Sequence, residues 1–327
     1  MNFIHVTAGT DDDGRRLDKI IRRFLKEESL SHLYSALRKG LIKTDGKKCA
    51  ADFRVSAGSD IAIADFLVKP SANKIPAPLP RSLLLFRNEH FLVLNKPYDI
   101  PVQKARENDL SLADMVTADF AARHTEKESL SFRCGPLHRL DRKTTGIIVF
   151  SQSLRGAQWF SEAIKKHVMR KIYLAVLQGR LDEAQTWEDN IAEEKKTLAD
   201  NAKRFSAHIS SFHTVLIADD GKSAHSVATP LAYGSYHGLP VTLARIEIGT
   251  GRKHQIRAQA AAHGFPLLGD TAYGGKKITE EQDFFLHAHR LIFGENPLGL
   301  PHEILADIST KFAKMLSNCL IKFDSLL

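Results

Sequence analysis

Four apolar runs constrain this chain most: "SLLLFRNEHFLVLNKP" (82–97), "GIIVF" (146–150), "KIYLAVLQG" (171–179) and "PVTLARIEIG" (240–249). Each has the length and the aliphatic and aromatic content of a strand and is bounded by Gly, Pro or charged residues. Helical stretches, Leu154 to His167 and His254 to Ala262, separate them. The expectation is a mixed α/β domain around one large sheet. With 327 residues the chain can also hold a second, smaller domain.

The first 69 residues read differently. Leu17, Ile20, Ile21, Phe24 and Leu25 follow the spacing of one helix face, and Arg16, Lys19, Arg22, Arg23 and Lys26 take the other positions. A second helix is expected to start at Ser29 or Ser31, to turn Leu33, Tyr34 and Leu37 inward, and to stop at Gly40 behind Arg38 and Lys39. "LIKTDGKKC" reads as a hairpin about Asp45-Gly46, and "FRVSAGSDIAI" as a further strand pair. Proline-rich "KPSANKIPAPLP" then reads as an extended linker, which divides the chain into 1–69, a linker at 70–80 and a large domain at 81–327.

Charge is uneven along the chain. Lys plus Arg exceed Asp plus Glu by 46 to 38, and Arg15 to Lys69 alone holds 13 basic and 7 acidic side chains. A basic excess gathered in a small module favours a polyanion such as nucleic acid as partner, although a solvated charged face has the same composition. No apolar run approaches the roughly 18 residues of a membrane helix. The start "MNFIHVTAGTDDDG" lacks a basic segment followed by an apolar one, so a cytoplasmic protein is expected. Cys49, Cys134 and Cys319 are too dispersed for a zinc site or a disulfide framework, and reduced thiols are expected.

Several local patterns fail on their own requirements. Gly221-Lys222-Ser223 has Leu216 where a phosphate-binding loop needs Gly, and Gly249 and Gly251 lack the third glycine of a dinucleotide fingerprint. His287 and His289 would share a strand face, yet no carboxylate or thiol stands near them in sequence to complete a metal site. "LHRLDRKTTGIIVF" (137–150) is more informative. Asp141 sits among cations, which hold a carboxylate ionised, at the mouth of an apolar strand. It is either an ion-paired turn or a reactive carboxylate on a rigid support.

Taken together the motifs are specific. "HRLDRKTTGIIVF", "KIYLAVLQG" and "GRKHQIRAQAAAHGFPLLGDTAYG", in that order, resemble the three defining motifs of the RluA family of pseudouridine synthases, and "FLVLNKPYDIPV" resembles the family's opening strand and turn. The N-terminal pattern resembles the S4-type RNA-binding domain. These resemblances imply an α/β (α+β) pseudouridine synthase fold with a large mixed, mostly antiparallel sheet, preceded by a small S4-type module. They imply that Asp141 attacks the ribose of a uridine, or its derived intermediate, while the uracil detaches, turns and rejoins through carbon 5. Tyr173 would stack on the base, Arg257 would pair with Asp141, and Arg139 would displace the base and fill its space.

Leu267 or Leu268 would wall the base pocket, and His138, Arg252, His254 and Gln255 would help bind substrate. Arg22, Arg23, Arg38, Lys39 and Lys43 would contact phosphates. Such an isomerisation needs neither metal nor redox cofactor, and extracting a uridine from a helix costs a few kcal/mol that basic and aromatic side chains recover. The implied partner is large-subunit ribosomal RNA, with transfer RNA as the alternative substrate and a non-catalytic RNA-binding or ribosome-assembly factor as the alternative class. Nothing in the sequence demands more than a monomer. Thr145, Lys253 and Gln103 depart from the family's usual Ser, Thr and His.

Overall fold

The computed structural model describes residues 1–22, 25, 29–68, 77–104, 109–123, 129–130, 132–193, 214–278 and 282–321. They gather into two compact units. The first comprises Met1–Pro78, Asp114–Gly135 and Gln152–Arg155, and the second Leu79–Ala113, Pro136–Ser151 and Gly156–Leu327.

In the first unit, β1 (Phe3–Thr7), β2 (Arg15–Arg16), α1 (Leu17–Ile21), α2 (Leu30–Lys39), β3 (Ile42–Thr44), β4 (Lys47–Lys48), β5 (Arg54–Val55) and β6 (Asp60–Ala64) follow in order. The sheet runs β1-β6-β3-β4, and β2 pairs with β5. The stretch read as one strand pair therefore divides, β5 going to β2 and β6 between β1 and β3. Ser29 caps α2 by accepting the His32 N–H at 3.2 Å, and Gly40 closes it in the left-handed region. Asp45 and Gly46 both have positive φ, as a two-residue hairpin turn requires.

Leu17, Ile20, Ile21, Leu33, Leu37, Ile42, Ile61 and Ile63 form the core of this unit. Tyr34 is 36% exposed, contrary to the expectation from helix spacing, because Ala36 turns inward in its place. Helix α3 (Leu112–Arg123) contributes all but its first two residues here. Beyond it Leu130 enters the same core, and its N–H donates to the buried Asp12 carboxylate at 2.6 Å. A segment from beyond residue 80 is drawn in by that buried contact. Arg23, Phe24 and Lys26 lie outside the described residues.

The second unit is built on β7 (Leu84–Arg87), β8 (Phe91–Lys96), β9 (Gly135–Pro136), β10 (Thr145–Ser151), α4 (Leu154–Lys165), β11 (Met169–Gln178), β12 (Gln185–Glu193), β13 (Val215–Ile217), β14 (Lys222–Tyr236), β15 (Leu239–Ile248), α5 (Gln255–Ala262), β16 (Leu286–Phe293), β17 (Glu303–Leu305) and α6 (Thr310–Asn318). The strands form one sheet in the order β13-β12-β14-β15-β11-β16-β10-β8-β7, with β17 beside β16 and β9 beside β10. Along this path β10 and β16 run parallel and the other neighbours antiparallel, which is the large mixed sheet expected from the sequence.

Every residue of β10 is buried, which explains why its sequence is an unbroken apolar run and does not alternate. Phe160 of α4 packs with Phe91, Val149 and Phe293, while Phe312 and Met315 of α6 pack with Val176, Leu243 and Phe285. Gly146 joins the Asp141 turn to β10. Its φ is +105°, and a Cβ there would stand 2.2 Å from the Ala288 carbonyl oxygen, so only glycine lets β10 join β16 directly after the Asp141 turn.

Candidate active site

The Asp141 turn is fastened from behind. Thr144 N–H donates to the Asp141 carbonyl at 3.1 Å, and the fully buried Lys96 at the end of β8 donates from Nζ to the carbonyls of Arg142 (2.7 Å) and Pro97 (2.9 Å). Burial pushes this ammonium down to about 7. At the rim, Arg142 pairs with Asp99, and Lys143 with Asp283, which also accepts from the Tyr98 hydroxyl at 3.0 Å. The sequence reading singled out none of these ties. Lys96 had a usable signal, a lysine at the end of a strand that begins with four apolar residues.

Arg257 projects from α5 into the same site. Its Nε and Nη2 donate to the buried Asp270 at 2.6 and 2.7 Å, and Nη1 is left 4.0 Å from Asp141 Oδ2. The expected pairing with Asp141 is thus secondary to a bidentate pair with Asp270, whose carboxylate matches the planar fork of the guanidinium. The guanidinium carbon lies 4.8 Å from the centre of the Tyr273 ring and 4.6 Å from that of Phe284. With Nε and Nη2 taken by Asp270 and the two rings beside the guanidinium, Nη1 is the nitrogen turned to Asp141.

His254 approaches Asp141 from a second side. Its backbone is left-handed at φ 51°, Nδ1 lies 2.9 Å from the Tyr273 hydroxyl, and Nε2 lies 3.8 Å from Asp141 Oδ1. The Tyr273 hydroxyl that meets His254 Nδ1 also accepts the Val215 N–H at 2.9 Å, so the ring is held in place from behind. Burial pushes the imidazole down to about 4, so it faces Asp141 uncharged. Tyr173, 7% exposed, completes the wall. Burial and then the Asp141 charge raise its phenol, which stays protonated.

A cavity of about 60 Å³ joins these groups, lined by Arg139, Asp141, Thr144, Tyr173, Arg252, His254, Gln255 and Arg257 among others. Its apolar walls are Leu140, Ile248, Ile256 and Leu286. Leu267 and Leu268 require correction: both are fully buried, Leu267 bridging to Leu177 and Leu268 packed among Leu174, Val176 and Leu243, and neither lines the cavity. Gln255 lines it, but its polar atoms are engaged, Oε1 with Thr250 and the Arg252 N–H and Nε2 with the His225 carbonyl and Ser226. It pins the turn and has no capacity left for substrate.

His138 is likewise structural. It accepts the Val149 N–H at 3.1 Å and stacks on Phe160, and burial lowers it to about 3. The Thr144 hydroxyl, by contrast, is buried, lines the cavity and has no hydrogen-bond partner among the described residues. His287 and His289 both lie within 3.0 Å of the Ala306 carbonyl oxygen, and His287 Nδ1 lies 2.8 Å from Thr145 Oγ1, which makes them strand fasteners.

Two of these histidines predict the acid response. His254 and His287 are each pushed by burial from 6.5 to about 4, so between those values the unfolded chain binds protons that the folded one does not. Their contribution to stability is present above pH about 6.5 and is lost as pH falls toward 4, on the order of 1–2 kcal/mol each at pH 5. Thermal unfolding followed from pH 7 to pH 4.5 should show a falling midpoint. A His287→Asn variant should show a shallower decline, and a decline as steep as the parent's would assign the loss elsewhere.

With this geometry in place, comparison with known proteins gives a consistent picture. Residues 90–262 match the family model described as RNA pseudouridylate synthase. The ribosomal large subunit pseudouridine synthase C of Rickettsia prowazekii is 26% identical over 314 residues, covering 91% of this chain and 95% of that protein. The enzyme of the same name from Escherichia coli K12 is 26% identical over 312 residues, covering 90% and 88%. Among solved structures, human RNA pseudouridylate synthase domain containing 4 superposes with a TM-score of 0.56 at 20% identity over 73% of this chain and 94% of that one. Human domain containing 1 gives 0.50 at 23% identity over 72% and 94%. At these identities the structures bear on the fold.

Proposed function

Because the chain belongs to the RNA pseudouridylate synthase family and is an RNA pseudouridine synthase, we propose that it isomerises uridine in large-subunit ribosomal RNA with Asp141 as its nucleophile. The observation that carries this reading is the convergence of Asp141, Tyr173 and Arg257 on one cavity at the mouth of β10. The relatives named for the large ribosomal subunit support the choice of RNA.

The chemistry asked of the site is a balanced rearrangement. The N1–C1′ bond breaks, the C5–C1′ bond forms, C5 loses a proton and N1 gains one. Asp141 supplies the carboxylate that takes the ribose carbon or its derived intermediate, and Arg257 Nη1 orients that carboxylate. Tyr173 holds the uracil by stacking, Arg139, exposed at the cavity mouth, fills the gap it leaves in the RNA, and Arg252 and His254 border the bound nucleotide. Leu140, Ile248, Ile256 and Leu286 keep the detached base within reach.

The N-terminal unit acts in this reading as an S4-type RNA-binding module. Arg22, Arg38 and Lys39 are exposed on it, and Lys43 extends over the Phe3 ring at 5.1 Å, all suited to phosphate contacts that position RNA without reading its sequence. The enzyme works in the cytoplasm as a monomer. Among the described residues no helix is long and apolar enough to cross a membrane.

Site-resolved pseudouridine mapping of RNA from cells with and without this protein tests the reading. Loss of signal at specific large-subunit uridines is the expected result. Loss confined to transfer RNA would keep the chemistry and overturn the target, and no loss anywhere would favour a non-catalytic RNA-binding factor.

A further inference from the structure

We propose that the cavity between α4 and the Gly249–Arg252 turn is a subsite for the backbone phosphate that flanks the target uridine, with Lys171 as its central cation. The inference rests on the functional reading above and names a contact that reading does not contain.

Lys171 and Tyr173 stand two residues apart on β11, opposite Ile248 and Ile246 of β15, so their side chains leave the same face of the sheet. Tyr173 enters the cavity with Asp141, and Lys171 enters the neighbouring one, of about 130 Å³. Gly251 and Arg252 line both. The two cavities therefore lie side by side across a single turn, in the arrangement needed by a base and the phosphate next to it.

The ammonium of Lys171 has no hydrogen-bond or ion-pair partner among the described residues, although the side chain is largely withdrawn from solvent and burial lowers its pKa. Its Nζ is 3.6 Å from the point a Cβ on Gly251 would occupy, which places the charge at the turn. Among the described residues that line this cavity none is acidic. A desolvated cation without a counter-charge is costly to maintain, and an anion entering the cavity removes that cost.

Two further features suit an anion. Arg252 donates from Nε to the Ser223 carbonyl at 3.0 Å, which anchors the side chain at the cavity edge, and its terminal nitrogens have no partner among the described residues. His167, with φ 53°, is held with Nδ1 3.2 Å from the Gly249 carbonyl, so the opposite wall is a strained residue bonded to the same turn. The shape is built and the charge in it is unspent.

Phosphate-ethylation interference on transcribed large-subunit ribosomal RNA tests this. With the unmutated protein, ethylation of one phosphate beside the modified uridine should suppress pseudouridine formation there. With Lys171→Met that interference should vanish and kcat/KM should fall about tenfold, mainly through KM, as for loss of one charge-assisted contact. The salt dependence of binding should lose about one unit of slope. Lys171→Arg should restore all three.

The same interference pattern in Lys171→Met as in the parent would overturn the inference while leaving the functional reading intact. An unmutated protein that makes no pseudouridine in this RNA or in transfer RNA would overturn that reading, and the subsite with it. A measurement on the unmutated protein is independent of variant folding: the transcript should shield Lys171 from acylation by an amine-reactive ester, scored by mass spectrometry. Equal labelling with and without RNA would also overturn the proposal.

Discussion

Replacing Asp141 by Asn should reduce pseudouridine formation by about 10⁴-fold or more while RNA binding stays within a few-fold of the parent, because the amide keeps the volume of the side chain and removes the nucleophile. The turn should survive the change. It is held by Lys96 on the Arg142 carbonyl, by the Arg142 pair with Asp99 and by the Thr144 N–H on the Asp141 carbonyl, and none of these uses the Asp141 carboxylate. The decisive comparison is single-turnover product formation beside equilibrium binding of the same transcript. Parent-like isomerisation would remove Asp141 from the chemistry, and a parallel collapse of binding would make it a structural or binding residue.

Asp270→Asn should produce the second large effect, on stability as well as rate. The carboxylate is 2% exposed and holds a guanidinium that is itself 8% exposed. Removing its charge strands a buried cation, at a cost of about 3–5 kcal/mol, visible as a lower urea midpoint at unchanged slope. Catalysis should also fall by about 10²-fold, since Arg257 then loses the anchor that aims Nη1 at Asp141. The double variant Asp270→Leu with Arg257→Met, which removes both charges, should recover much of the stability and none of the activity. If the double variant is no more stable than Asp270→Asn, the pair contributes through packing and not through its charges.

Much of the architecture was legible in the chain. Ser29 and Gly40 mark the ends of α2, and the apolar runs at 82–97, 146–150, 171–179 and 240–249 all became strands of the large sheet. Such signals are local, since a cap needs only its own turn and a strand buried on both faces needs only an unbroken apolar run. Asp141, Tyr173 and Arg257 could be named because their motifs carry them, and the fold brings the three to one cavity.

Other features depended on partners far away in sequence. Leu267 and Leu268 lie in the right motif but sink into the core, and the cavity takes its apolar walls from Leu140, Ile248, Ile256 and Leu286. Gln255 looks like a substrate ligand until its four hydrogen bonds are counted. Tyr34 was assigned inward on helix spacing that serves Ala36 as well, and the rotation of a helix about its axis is set by what packs against it.

By itself, then, the sequence determined the order and kind of the main elements, the glycine at 146 and the identity of the reactive carboxylate's candidate, because each depends on residues within a few positions of one another. Only the tertiary structure decided which groups answer Asp141, with Asp270 fixing Arg257, Tyr273 holding His254 and Lys96 buried beneath the turn, and that Lys171 has no partner among the described residues. The physical reason is that burial and pairing of charge are properties of the assembled interior. Strand neighbours such as β10 and β16, more than a hundred residues apart along the chain, bring those groups together, and no local pattern records the meeting.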